Sequence, residues 1–488
     1  MMDLSVIYDD RLRPTEDAQA FVGIDRYGAL LFRKRLLSDH IREIFREAGA
    51  IRFAIIRDDA DLALAMRTIA DGPRSVQVIY FPACFATTDE HAMRRFFRKL
   101  RCSDDAFQSL PTATCTRPVL AIKAEHAPDL LLRLSGTHWR ELLEEVSFTL
   151  HQVDNQAALV DLAEPGVLGA YLSSTFDVRH FNAIALHPLT VTKRSGDIGK
   201  MRREYQFFSL LPEALRLYFL PPLGWEEGAD WASYRTERLY VPDLAIQWVH
   251  RAFDIPAFSI CLQSLEDFIA ARPVREISGE RSELEHRRLY VDKVDERLRQ
   301  LQALPLCSAI DKMLAACTSH RSVADLVTRY HQLYDRLRPR RHRLRQAISH
   351  GDLCFSNILY GRRQRMTKFI DPRGADGVEE IWLDEYYDLA KLSHSVLGSY
   401  DFINHDLFEF IHGQDLSLEL RLEHDGQDDL RAYFRSRISA MGYDVDLMRL
   451  YEASLFLSML PLHAEGPKKV LAFVLTAAGI MGEIEQHL

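Results

Sequence analysis

Four residues of the stretch ISHGDLCFSNILYGRRQRMTKFIDPRG stand at a spacing that could carry chemistry: His350, Asp352, Asn357 and Asp371. They read HxDLxxxN and then, after a hairpin-length gap, IDP. Asp352 and Asn357 are close enough to share one tight loop, and the β-type runs NILYG and MTKFID can fold back on each other to return Asp371 to it. Those residue types at that spacing suit phosphoryl transfer. Asp352 can accept the proton of an attacking hydroxyl, while Asn357 and Asp371 offer hard oxygen donors to a magnesium ion bridging phosphates. An isolated HxD or IDP carries little information. The ordered set with strand signals between its members is specific.

HGDLCFSNIL, FIDPRG and YDLAKLSHS together resemble the aminoglycoside phosphotransferase and choline kinase-like family. The resemblance implies a protein-kinase-like fold of two lobes, a β-rich small one and a mainly helical large one, using ATP and Mg2+ to phosphorylate a hydroxyl of a small metabolite such as a sugar or amino alcohol. It also implies that Asp388 in YYDLA steadies the catalytic loop through backbone hydrogen bonds, and that His350 is a structural member of that loop. Neither residue needs to touch substrate.

A phosphate-gripping cation is expected before this motif. Lys193 in LTVTKRS follows a β-type run, and Glu204 in KMRREYQFF lies on a downstream helix that can turn it toward the lysine. Arg194, Lys200, Arg202 and Arg203 are nearby alternatives. A glycine-rich loop is missing, and LSSTFDVRHFNAIA stands in its place, with Ser173, Ser174 and Thr175 as candidate phosphate donors. YRTERLYVPD resembles the family's hinge, which puts Glu237 and Leu239 beside the adenine. Arg373 follows the IDP aspartate and suits either a phosphate, an anionic acceptor or a structural ion pair. Asp384, Glu385, Tyr386, Tyr400 and Asp401 lie where the family places acceptor-binding groups, and suit a polyol or an amine. Cys354, inside the loop, has no dedicated base and reads as a packed thiol.

The elements that must position these residues fall into three segments. Residues 1–165 alternate short apolar runs with helical patterns, SVIY, LLSDHIREIFREAG, IRFAIIR and SVQVIYFPACF among them, which predicts an α/β layer fold. This segment resembles the start of sugar nucleotidyltransferases in its RLRP element but lacks their GxGxR loop, so a degenerate domain serving binding or architecture is expected. Proline and glycine meet in AEPGVLGA, which marks a boundary. Residues 166–250 then read strand, helix, strand, as a small lobe, and residues 251–488 read largely helical, as the α-rich large lobe.

Of the 488 residues, 47% are hydrophobic and 27% charged, with a formal net charge of -9. Nucleic acid is a poor partner for such a chain, and a small-molecule acceptor a better one. The seven cysteines show no CxxC spacing for zinc, and no apolar stretch reaches membrane-spanning length. A cytoplasmic location is the expectation. Two functions compete: a metabolite kinase, placed by the amino-terminal resemblance in bacterial surface-polysaccharide synthesis, and a pseudokinase or nucleotide-sensing scaffold with a biosynthetic enzyme as partner.

Overall fold

The computed structural model describes residues 2–32, 35–71, 76–103, 105–110, 115, 117–134, 139–164, 166–173, 182–413, 417–422 and 426–488. The chain divides into two units, Met1–Asp177 and Val178–Leu488, rather than at residue 165. The helix Val167–Ser173 therefore lies with the first unit, where Tyr171 stacks on Phe32 at 4.4 Å.

In the first unit, the apolar runs form a six-stranded mixed sheet: β1 Asp3–Asp9, β2 Ala50–Ile56, β3 Val76–Pro82, β4 Ala106–Ser109, β5 Val119–Lys123 and β6 Leu150–Val153. Their order is β2-β1-β3-β5-β4-β6, with β1 parallel to both neighbours and β5 antiparallel to both of its own. Parallel strands need cover on both faces, and both are covered. Helices α1 (Leu37–Glu47) and α3 (Glu90–Leu100) bring Phe45 and Phe97 against Phe81 on one side. On the other, α2 (Asp59–Ala70) and α4 (Ala127–Arg133) pack Leu62, Met66 and Leu131 onto Ile7, Val78 and Leu120.

The second unit begins with a four-stranded antiparallel sheet of β7 Asn182–Leu186, β8 Thr190–Ser195, β9 Pro222–Glu227 and β10 Ala232–Glu237, in the order β7-β8-β10-β9. Helix α5 (Ile198–Leu210), capped by the Asp197 side chain, lays Met201 on Ala232 and Tyr234 of that sheet. The rest is mainly helical. Its main helices are α6 Ile255–Ala271, α7 Lys293–Gln302, α8 Val323–Leu337, α9 Tyr387–Val396, α10 Val445–Met459 and α11 Pro467–Gln486. Every residue of α10 from Leu447 to Ser458 is buried, so this helix is the axis around which α7, α8, α9 and α11 pack.

Two small β elements cross the helical part. β11 (Val274–Glu276), β12 (Arg345–Ile348) and β15 (Trp382–Asp384) form one sheet, and β13 (Ile358–Gly361) pairs with β14 (Met366–Phe369) as the expected hairpin. β12 runs into His350, β13 leaves from Asn357, and β14 ends just before Asp371. Phe369, 1% exposed, pins this hairpin: its ring lies 4.6 Å from Phe268 of α6, 5.5 Å from Phe219 and 5.9 Å from His350.

The basic run from Arg338 to Arg345 is neutralised within the fold. Arg338 and Arg341 meet Glu283, Arg340 meets Asp444 and Asp446, and Arg343 and Arg345 meet Glu385. Among the described residues no helix is long and apolar enough to cross a membrane.

Truncating Phe369 removes a core ring that meets Phe268, Phe219, His350 and also Tyr218 at 5.9 Å, so Phe369→Ala is expected to cost about 3–5 kcal/mol. A lowered urea midpoint by circular dichroism would record it. An unchanged midpoint would mean that something else holds the hairpin.

Candidate active site

The loop between β12 and β13 is held from behind by one carboxylate. Asp388, in the first turn of α9, accepts hydrogen bonds from the His350 N–H through Oδ2 and from the Gly351 N–H through Oδ1, each at 2.9 Å. Arg272, at the carboxyl end of α6, reaches the same Oδ2 at 3.2 Å, and both side chains are buried to 1% or less. The His350 ring is fixed in turn. Its Nδ1 accepts from the Asp352 N–H and its Nε2 faces the Ile370 carbonyl at 3.0 Å, a pattern that needs the neutral ring protonated at Nε2. Burial lowers its pKa against the pull of Asp388, which favours that neutral form.

Asp352 and Asn357 meet as their spacing requires. The Asn357 Nδ2 donates to the Asp352 carbonyl at 2.8 Å and to its Oδ2 at 3.2 Å, which leaves the Asn357 Oδ1 as an available donor to a metal. The other oxygen of Asp352, Oδ1, lies 2.8 Å from the Lys391 Nζ. Sequence reasoning missed this lysine. It stands in YDLAKLSHS one turn beyond Asp388, and a lone lysine on a helix gives no signal of its own.

Lys193 of β8 bridges two acids. Its Nζ is 2.6 Å from the Glu204 Oε2 on α5 and 2.9 Å from the Asp371 Oδ1. Burial alone would lower the lysine's pKa, but Asp371 and Glu204 outweigh it and raise it, so the ammonium is kept. Of the alternatives, Arg194 stacks over Trp231, Arg202 pairs with Glu227, Arg203 reaches Asp376 at 3.8 Å, and Lys200 stands 3.7 Å from Glu204. Asp371 itself is left-handed, at φ 54°, a conformation aspartate tolerates better than most residues. The next turn packs on α5: Gly374 has φ 77°, and a Cβ there would stand 2.7 Å from the Glu204 backbone nitrogen. The Ala375 N–H donates to the Arg203 carbonyl, which ties the two segments.

Arg373 lies across the loop. Its N–H donates to the His350 carbonyl, and a Cβ on Gly351 would come within 2.7 Å of its own Cβ. Glu237 closes β10, with an exposed side chain, and Leu239 follows it in the link toward Asp243. Among the described residues, no hydrogen bond joins either to Lys193, Asp352 or Asp371. Ser173 ends the helix Val167–Ser173 in the first unit, whereas Ser174 and Thr175 lie outside the described residues.

The acids expected around an acceptor are all buried. Asp384 pairs with His286 and accepts from the Tyr290 hydroxyl, Glu385 is gripped by Arg345, and Tyr386, Tyr400 and Asp401 are at most 7% exposed. Burial pushes the Cys354 thiol up to about 12, with Asp352 adding to the effect, so it is no nucleophile at neutral pH. In the first unit, Arg11 of the RLRP element is held by Asp9 and Asp59, and Asp9 also holds Arg117 and the Tyr80 hydroxyl.

No family model and no curated protein matches the chain. Among solved structures it is similar to a thermostable mutant of aminoglycoside phosphotransferase APH(4)-Ia in its apo form, with 14% identity over 60% of this chain and 87% of that one, at a TM-score of 0.39. It is also similar to a mutant of that protein in a ternary complex with AMP-PNP and hygromycin B (13% identity, 64% and 97% covered, TM-score 0.38). A third is aminoglycoside phosphotransferase APH(3'')-Id from Streptomyces rimosus with ADP and streptomycin (16% identity, 56% and 86% covered, TM-score 0.32). None of these three is a nucleotidyltransferase.

Behind the loop, burial raises both Asp243 and Asp401 from the usual carboxylate range to about 7, and the charge of Asp401 adds to the shift of Asp243. A carboxyl raised in the folded state keeps its proton where the unfolded chain has lost it. Its contribution is complete below pH 4 and is lost as pH rises toward 7. The contribution of this pair to stability is therefore expected to fall between about pH 4 and pH 7, so that Asp401→Asn changes the pH dependence of thermal unfolding across that window, making the variant gain relative to the parent as pH rises. A slope unchanged in the variant would place the titration elsewhere.

Proposed function

We propose that the second unit is an ATP- and magnesium-dependent phosphotransferase acting on a hydroxyl of a small metabolite. The observation that carries this reading is the convergence of two polar sets on one loop. Lys193, bridging Glu204 and Asp371, supplies a fixed cation beside a carboxylate, and Asp352 is braced by Asn357, whose own carbonyl accepts from the Ile370 N–H one residue before Asp371. Phosphoryl transfer needs little covalent chemistry from a protein. It needs positioning and charge neutralisation, which these groups offer.

Lys193 takes the donor phosphates, with Glu204 holding its ammonium in place. The Asn357 Oδ1 and the Asp371 carboxylate fit magnesium, which accepts one or two protein oxygens and completes its shell with phosphate and water. When bound, the metal neutralises the charge that builds on the phosphate oxygens. Asp352 removes the proton of the acceptor hydroxyl as its oxygen bonds to the γ-phosphorus, and the bond from that phosphorus to the β-bridging oxygen breaks to release ADP. Glu237 and Leu239, at the end of β10, are assigned to the adenine. Arg373 faces the transferred group or the acceptor. Placement of this activity in surface-polysaccharide synthesis rests on the resemblance of residues 1–165 alone.

ADP formation with ATP, Mg2+ and a panel of polyols and amino alcohols tests the reading. Asp352→Asn is expected to lower turnover by about 10²–10⁴-fold, the scale of a lost general base. Asp371→Asn and Lys193→Met should each abolish most of it with the fold intact by circular dichroism. Full activity in both aspartate variants would sink the assignment.

A further inference from the structure

The two oxygens of Asp352 divide its surroundings. Oδ2 faces Asn357 on the side assigned to metal and donor phosphates, whereas Oδ1 faces Lys391. On the Lys391 side the charges do not balance. Tyr387 lies one turn before Lys391 on the same face of α9. The Lys293 Nζ, at the start of α7, stands 3.4 Å from the Tyr387 hydroxyl, and the Arg373 guanidinium carbon lies 5.9 Å from the Tyr387 ring. Lys293 is aimed by a wide π turn, Arg287–Asp292, immediately before it, a local irregularity that recurs at functional positions. Among the described residues neither Lys293 nor Arg373 is paired with a carboxylate. Three cations thus gather about the Tyr387 phenol, and the Asp352 carboxylate pairs with one of them.

Such a set repels itself and is costly to hold in a partly buried place unless an anion joins it. The cation excess is strong enough that the pKa of Tyr387, which burial alone would raise, is lowered by Lys293, Lys391 and Arg373. The other carboxylates that could greet a cationic acceptor are engaged elsewhere or buried. Asp384 and Glu385 are committed to His286 and Arg345, and Asp401 is fully buried.

We propose that the acceptor is an anion, a small molecule carrying a phosphate or carboxylate beside its reactive hydroxyl, bound by Lys293, Lys391 and Arg373 next to Asp352. The inference rests on the reading of Asp352 as the base, and it names the charge class of the molecule that this base deprotonates. Lys391 acts in two ways, orienting Asp352 through Oδ1 and completing the anion's cradle.

Calorimetric titration of the full chain, saturated with AMP-PNP and Mg2+, tests this with four probes: inorganic phosphate, glucose 6-phosphate, glucose and glucosamine. Phosphate and glucose 6-phosphate are expected to bind, and glucose and glucosamine to bind at least tenfold more weakly. Lys293→Ala and Arg373→Ala should each weaken glucose 6-phosphate about tenfold, and Lys293→Ala should leave the affinity for AMP-PNP unchanged. Tighter binding of glucosamine, no binding of either anion at millimolar concentration, or an anion affinity untouched by both variants would overturn the proposal. So would phosphate and glucose 6-phosphate that bind the free chain but are displaced by AMP-PNP, since they would then occupy the donor's place. Because binding needs no turnover, these results are separate from those that decide whether Asp352 is a base.

Discussion

Everything at the loop depends on a carboxylate that never meets solvent. Asp388 is drawn out of water at a cost of several kcal/mol, and that cost is offset when two backbone N–H groups, the Arg272 guanidinium and the amino-terminal turn of α9 all converge on it. The same four partners belong to three separate elements. A single ionic contact therefore fixes the end of α6, the start of the loop and the start of α9 relative to one another. His350 and Gly351 are held by their backbone, which leaves the side chains of Asp352 and Asn357 free to be set by their own neighbours. Lys391, a turn farther along α9, shares the foundation, so one helix orients both the loop and the Asp352 carboxylate.

The sheet side of the site is built on a different principle. There Lys193 and Glu204 are buried while Asp371 is part-exposed, and what holds them together is the backbone between them. Lys193 sits between Glu204 and Asp371 because β8, α5 and the turn after β14 approach closely. The left-handed Asp371 and the absence of a side chain at Gly374 allow that approach. A lysine held between two acids is preorganised, since its position needs no further ordering.

Much of this was legible in the chain because it is local. HGDLCFSNIL and FIDPRG place strand, loop and strand within about twenty residues, and spacing alone brings Asp352, Asn357 and the hairpin into register. Lys193 and Glu204 were legible as a strand followed by a helix. The rest depends on distance in sequence. Arg272 stands far from Asp388, and Lys293 far from Tyr387, and nothing in an amphipathic helix distinguishes such a residue from a solvated one. Acids near the loop misled for the same reason. Asp384, Glu385 and Asp401 look free in the sequence, yet their partners come from segments far away in the chain or from burial itself. The run from Arg338 to Arg345 would pass for a polyanion site, and its charge is spent inside the fold. Strand β9 and the short β11 were too brief or too polar to announce themselves.

The contact of Gly374 with the backbone of α5 bears on control. Many two-lobed enzymes can be imagined to switch by swinging a helix so that its glutamate leaves the lysine while the metal-side carboxylate stays where it was. Here the glycine is seated on the main chain at Arg203 and Glu204, and Ala375 is hydrogen-bonded to that same turn. Helix and turn must travel as one body. Any displacement of α5 would carry Glu204 and the turn after Asp371 in the same movement, so a change transmitted through this helix would reach both partners of Lys193 together.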